Sequence, residues 1–281
     1  VRCYDRIAPL RDALAELRAA GARIGFVPTM GSLHEGHLAL CDVARATCDT
    51  VVMSIFVNPL QFGPGEDLDR YPRDLERDHE LAAARAVDVL FAPGTAEMYP
   101  RGAPALRLVA PGMTERLCGA FRPGHFEGVL TVVAKLFNII GPDVAVFGRK
   151  DLQQAALIRR MVADLDMPVR IEVAPIVREA DGLAMSSRNV YLGPADRRAA
   201  RSLSRSLYAA QAAFAAGERD PATLVAAARE ILEAEPGVSV QYVELVDPET
   251  LDTPDRARAG DAVAVAAYAG ATRLIDNHLL H

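Results

Sequence analysis

Short, mostly apolar runs at residues 24–27, 50–57, 87–92, 144–147 and 169–177 alternate with stretches of helical periodicity. This alternation constrains the fold more than any other feature. Strands without polar alternation are buried on both faces, and strands joined through helices run parallel. Helical patterns at 8–20, from His37 to about 48, and at 72–86, 127–140 and 152–165 fill the gaps. The expected fold is therefore α/β, a Rossmann-like parallel sheet flanked by helices. A further short strand is expected at 106–109. Beyond residue 177 the pattern changes. Alanine-rich helical stretches at 195–216 and 221–234 precede apolar runs at 238–246 and 262–268, with a third strand expected at 272–275. This predicts domain 1–176 and a smaller C-terminal α+β domain, 177–281, expected to act as a lid over the active site.

Ligands of parallel sheets sit beyond the carboxyl ends of the strands. Three polar constellations fall there. The first, Met30-Gly31-Ser32-Leu33-His34-Glu35-Gly36-His37, joins a strand to a helix. Free N–H groups and the helix dipole suit an anion at such a turn, and imidazoles add donors. The spacing is one residue short of His-Glu-x-x-His, which argues against zinc. The second constellation is Asn58-Pro59-Leu60-Gln61. The third, Gly148-Arg149-Lys150-Asp151, again follows a strand and opens a helix, with Lys150 suited to a phosphate. Neither a Walker loop nor a dinucleotide fingerprint is present.

Other groups extend this set. Met185-Ser186-Ser187-Arg188 offers two hydroxyls and a guanidinium, suited to a triphosphate. Gln61 and Gln154 are neutral, and would hold a hydroxy acid without blunting its carboxylate as a nucleophile. Asp78 is a candidate magnesium ligand. Arg122 and His125 add positive charge. Only two of the 31 basic residues are lysines, Lys135 and Lys150. Lysine at position 150, kept in so arginine-rich a chain, suggests a need for a compact ammonium.

A net charge of −6 argues against nucleic acid or an anionic membrane as the main partner. Cys3, Cys41, Cys48 and Cys118 form no regular frame, which favours a reduced, cytoplasmic protein. Arg2, Asp5, Arg6, Arg11 and Asp12 do not read as a signal peptide, and no apolar run is long enough to span a membrane.

Together, the segments at 28–37, 56–63, 122–126, 147–154 and 178–189 resemble, in order, those of the pantoate–β-alanine ligase (pantothenate synthetase) family. The resemblance covers nearly the whole chain and is least distinctive after Tyr191. It implies ATP-dependent condensation of pantoate with β-alanine, through a pantoyl adenylate, releasing AMP and pyrophosphate. It also implies Mg2+, a homodimer, and a first domain that binds ATP and pantoate. The resemblance implies ATP contacts from Met30 to His37, from Gly148 to Asp151, from Val177 to adenine through its backbone, and from Met185 to Arg188. It implies pantoate contacts from Gln61 and Gln154. The catalytic donors expected are His34, His37, Lys150 and Arg188, with His37 the foremost. Arg149 stands where the family usually has glutamate, so no role is carried over to that side chain. Two other readings compete: nucleotidyl transfer to a phosphate acceptor, which would need a basic pocket around Gln61 and Gln154, and a non-catalytic ATP-binding module.

Overall fold

The structure is a computed structural model describing residues 1–281. The chain runs β1 (Arg2–Tyr4), α1 (Ile7–Ala19), β2 (Ile24–Thr29), α2 (Glu35–Arg45), β3 (Thr50–Ile55), α3 (Leu75–Ala84), β4 (Val89–Phe91), α4 (Thr95–Met98), α5 (Leu117–Phe121) and α6 (His125–Ile140). It continues through β5 (Val144–Gly148), α7 (Leu152–Asp164), β6 (Arg170–Ala174), α8 (Pro194–Ala200), α9 (Ser202–Ala215), α10 (Pro221–Glu233), β7 (Val238–Val246), β8 (Ala262–Ala269) and β9 (Thr272–Leu279). Single 3-10 turns lie at Pro59–Gln61, Arg149–Asp151 and Ser187–Tyr191. No helix is long and apolar enough to cross a membrane.

Six strands form one sheet in the order β1-β4-β3-β2-β5-β6, and every pairing is parallel. The chain builds outward from β2 to β3 and β4, then returns to place β5 on the other side of β2. That reversal puts the topological switch point between β2 and β5, where parallel sheets take ligands. Burial on both faces accounts for the apolar strands: every residue of β2 except Pro28 is buried. Helix α2 packs over this sheet through Leu40, Cys41 and Ala44, which join Val27, Met53 and Val146 in one core.

The smaller sheet is antiparallel, in the order β7-β8-β9. Its central strand carries five alanines, and seven of its eight residues are buried. Leu203, Leu207 and Phe214 of α9 and Leu224 and Leu232 of α10 share its core. The third strand runs to Leu279, longer than expected, because its register with β8 continues to Ala262.

Two compact units result. The first comprises residues 1–115, 119–148 and 157–174; the second comprises 116–118, 149–156 and 175–281. Residues 149–156, which include Lys150, thus fold with the second unit. The strand expected at 106–109 is absent. Leu106 and Val109 are exposed, and the Leu108 N–H donates to Thr131 Oγ1 at 3.3 Å instead of to a neighbouring strand. The three-residue β1 escaped the sequence reading because it is too short to show a period.

Candidate active site

In the first unit the segment after β2 turns through two successive left-handed residues, Gly31 at φ +82° and Ser32 at φ +51°. Serine rarely adopts this backbone, so the surroundings must hold it. Three bonds do so. Gly31 N–H donates to Thr29 Oγ1 at 3.2 Å. Ser32 N–H and Leu33 N–H donate to the two carboxylate oxygens of Asp78, at 2.8 and 2.7 Å. Glycine is required at 31 on two counts: its φ is positive, and a Cβ would lie 2.8 Å from Asp78 Oδ2.

The turn delivers His34 to the N-cap of α2, where its Nδ1 accepts the Gly36 N–H at 3.1 Å. With Nδ1 accepting, the neutral ring carries its proton on Nε2. His37 sits in the first turn of the helix, and the two rings stack with centroids 4.0 Å apart. Glu35 lies in the same turn, but its carboxylate pairs with Arg85, the residue that ends α3.

Gln61, at the end of the 3-10 turn after β3, is buried, and its amide orientation is determined by its neighbours. Asn58 Nδ2 donates to Gln61 Oε1 and to the Gly128 carbonyl, both at 3.1 Å. Asn58 Oδ1 accepts from Tyr99 O–H at 2.8 Å and from Leu60 N–H at 3.3 Å. A carbonyl only accepts and an N–H only donates, so Asn58 can point one way only. Gln61 must therefore turn its NH2 outward, where Met30 Sδ, a weak acceptor, lies 3.1 Å away. Burial pushes the Tyr99 hydroxyl up to about 12, so it stays a donor. Gly128 lets α6 approach this turn; a Cβ there would meet Leu60 O at 2.4 Å and Gln61 N at 2.7 Å.

The Gln61 main-chain carbonyl is also held. His125 Nδ1 donates to it at 2.8 Å, because Arg122 donates to the other ring nitrogen at 3.0 Å. Arg122 in turn grips Glu66 with two nitrogens. Burial raises the Glu66 pKa, but Arg122 outweighs it and holds the carboxyl below its ordinary value of 4.5.

Asp78, the candidate magnesium ligand, is held from within the turn. It is 1% exposed, both oxygens receive amide hydrogens, and the chain contains no group of three His, Cys, Asp or Glu residues that could hold a metal. Burial raises its pKa against the lowering effect of those two amides.

The second unit carries the other candidates except Gly148. Asn277 Nδ2 donates to the carbonyls of Arg149 and Lys150, at 2.8 and 3.0 Å, and so ties the lysine turn to β9. Next to it, Asp276 is buried and accepts two bonds from Arg178, at 2.6 and 3.0 Å. Arg149 is partly buried; desolvation and Arg178 both lower its pKa. The Met185 N–H donates to the Val177 carbonyl at 3.0 Å, bringing these two predicted residues together. Ser186 caps the next turn by accepting the Arg188 N–H at 3.3 Å. Asn189 Nδ2 ties that turn back to Glu179 and to the Ala184 carbonyl. Gln154 lies partly buried on α7. A Cβ at Gly148 would meet nothing within 4 Å, so packing does not demand glycine there.

The sequence reading named Asn58, Arg122 and His125 but not their roles, and it missed Tyr99, Gly128, Asp276 and Asn277. The Asn-Pro step at 58 and the glycine inside the α6 pattern were visible signals. Nothing local marks Tyr99, Asp276 or Asn277, because their partners are distant in sequence.

Comparison with known proteins identifies the family. The family model for pantoate-beta-alanine ligase matches residues 2–279. Pantothenate synthetase 1 of Bradyrhizobium diazoefficiens is 57% identical over 282 residues, covering 100% of this chain and 98% of the relative. The pantothenate synthetase of Thermoanaerobacter sp. is 54% identical over 276 residues, covering 98% and 97%. The crystal structure of pantothenate synthetase from Thermus thermophilus matches with a TM-score of 0.94 at 49% identity, covering 99% of each chain. That of pantoate-beta-alanine ligase from Francisella tularensis, complexed with beta-gamma ATP and beta-alanine, matches with a TM-score of 0.82 at 34% identity, covering 99% of this chain and 97% of that one.

Proposed function

The chain belongs to the pantoate-β-alanine ligase family, and on that premise we propose that it condenses pantoate with β-alanine through a pantoyl adenylate. In the first step a pantoate carboxylate oxygen bonds to the α-phosphorus of ATP, and pyrophosphate leaves. In the second the β-alanine amine bonds to the acyl carbon, AMP leaves, and the amine loses a proton. No side-chain nucleophile is required, because the substrate carboxylate attacks directly.

The observation that carries the pantoate assignment is the orientation of Gln61. Asn58 holds its carbonyl on the inner side, so its NH2 is the group turned toward a ligand. A neutral donor orients a carboxylate yet leaves it nucleophilic; a cation would hold it too tightly. Gln154 is assigned a second pantoate contact. His34, His37, Lys150 and Arg188 serve as donors to the phosphates, where charge grows as pyrophosphate departs. Met30–Leu33, Gly36, Gly148, Arg149, Asp151, Val177 and Met185–Ser187 complete the ATP contacts. Glu35 enters this assignment through its backbone, since its carboxylate pairs with Arg85. The Mg2+ that the family implies would supply positive charge to the triphosphate when bound, and no residue of this chain is assigned to hold it. A homodimer is the proposed assembly on family grounds, and light scattering measures it.

The test is exchange of labelled pyrophosphate into ATP by the purified chain. Exchange is expected only with pantoate present, and pantothenate is expected to form once β-alanine is added. Pantoate-independent exchange rejects the proposal.

A further inference from the structure

Three features meet at the turn before His34. Its backbone is left-handed at both Gly31 and Ser32. Two of its N–H groups converge on one carboxylate. That carboxylate belongs to Asp78, in the first turn of α3 and more than 40 residues away in sequence, and it is 1% exposed. Thr29 adds a second hold, accepting the Gly31 N–H while its own hydroxyl donates to the Ser54 carbonyl at 2.7 Å. The turn that aims the histidines is thus held from β3 and from α3.

We propose that Asp78 is a positioning residue of this turn and not a ligand of the magnesium ion. Each Asp78 oxygen faces an amide hydrogen, whose partial positive charge repels a cation approaching from the same side. Gly31 closes in on Oδ2: a Cβ built on Gly31 would lie 2.8 Å from that oxygen. Magnesium requires near-octahedral oxygen ligands and retains waters, and this setting leaves no room for them. The buried charge is met by the two N–H groups. Without those bonds Ser32 would relax out of the left-handed region, and His34 and His37 would lose their shared aim.

This inference rests on the reading that His34 and His37 act on the phosphates. The experiment compares wild type with Asp78→Asn. An amide has one acceptor oxygen, so it can take one of the two N–H groups and must turn its own NH2 toward the other. Pantoate-dependent pyrophosphate exchange is expected to fall about 100-fold, the scale of a small misplacement of catalytic groups. The Mg2+ concentration giving half-maximal rate is expected to stay unchanged. Hydrogen exchange at the Ser32 and Leu33 amides is expected to quicken in metal-free buffer. A raised half-maximal Mg2+ concentration with the rate restored at saturation would overturn the proposal, as would unchanged amide exchange. Should the variant not fold, wild-type amide exchange over residues 30–37 is measured with and without MgCl2, in the absence of nucleotide. No difference is expected, and protection by Mg2+ alone overturns the proposal. Loss of the ligase reading would show separately, as wild-type enzyme without pantoate-dependent exchange.

Discussion

The imidazole of His34 stacks on that of His37, with ring centroids 4.0 Å apart and planes inclined by 29°. His34 has a second task, because its Nδ1 caps α2 through the Gly36 N–H. The two rings are neighbours in space but unequal in what they support.

That inequality separates stability from rate. His34→Ala is expected to lower stability by about 1 kcal/mol through loss of the cap, and also to slow adenylation. His34→Asn restores the cap but not the rate. His37→Ala is expected to leave the melting temperature near wild type while slowing pantoyl adenylate formation by about 10²–10³-fold. Thermal unfolding and single-turnover quench measurements read the two effects, and near-normal adenylation by His37→Ala removes it from the site.

Gly128 carries a packing prediction. A methyl group there meets Leu60 O and Gln61 N well inside contact distance, so either the turn or α6 must shift. Gly128→Ala is expected to destabilise by about 1–3 kcal/mol, in the range of other overpacked sites. Because the displaced turn carries Gln61, KM for pantoate rises while KM for ATP holds. Equal KM values for both substrates in the variant and wild type would show that the turn absorbs the methyl elsewhere.

Glu66 gives a pH dependence. Arg122 holds its folded-state pKa below 4.5 despite the opposing effect of burial. A depressed carboxyl stabilises the fold above its ordinary pKa, and this contribution is lost as pH falls through the folded value. Urea unfolding of wild type and Glu66→Gln should therefore show a constant difference near neutrality that shrinks below about pH 4.5. A difference that persists unchanged at acid pH would place the effect outside the ion pair.

Lys150 and Asn277 form the last pair. Asn277→Ala leaves the Arg149 and Lys150 carbonyls without that donor, at a cost of about 1–3 kcal/mol for buried groups. The loosened turn is expected to raise KM for ATP more than KM for pantoate. Lys150→Arg tests the residue type: a planar guanidinium does not replace a compact ammonium, and about a tenfold or greater loss of exchange is expected, the lower end for a displaced phosphate donor. Full activity in Lys150→Arg would mean that any cation suffices there.

Local sequence determined a good deal. Apolar runs broken by helical periods imply a parallel sheet, because strands buried on both faces cannot alternate in polarity. A histidine-rich segment between strand and helix implies donors at a strand end, because backbone connectivity alone puts them there. The division of labour inside that segment was decided elsewhere. Asp78 reads in sequence as a candidate magnesium ligand, and only the packing of α3 against the turn brings its oxygens to Ser32 and Leu33. Gln61 reads as a candidate substrate group, but the direction of its amide depends on Asn58, Tyr99 and Gly128, whose convergence no short window of sequence contains. Lys150 follows β5 along the chain, yet its turn is tied to Asn277 at the far end. Periodicity and turn chemistry act over a few residues and can be read along the chain. The orientation of a buried polar group depends on which distant donors and acceptors surround it, and folding decides that.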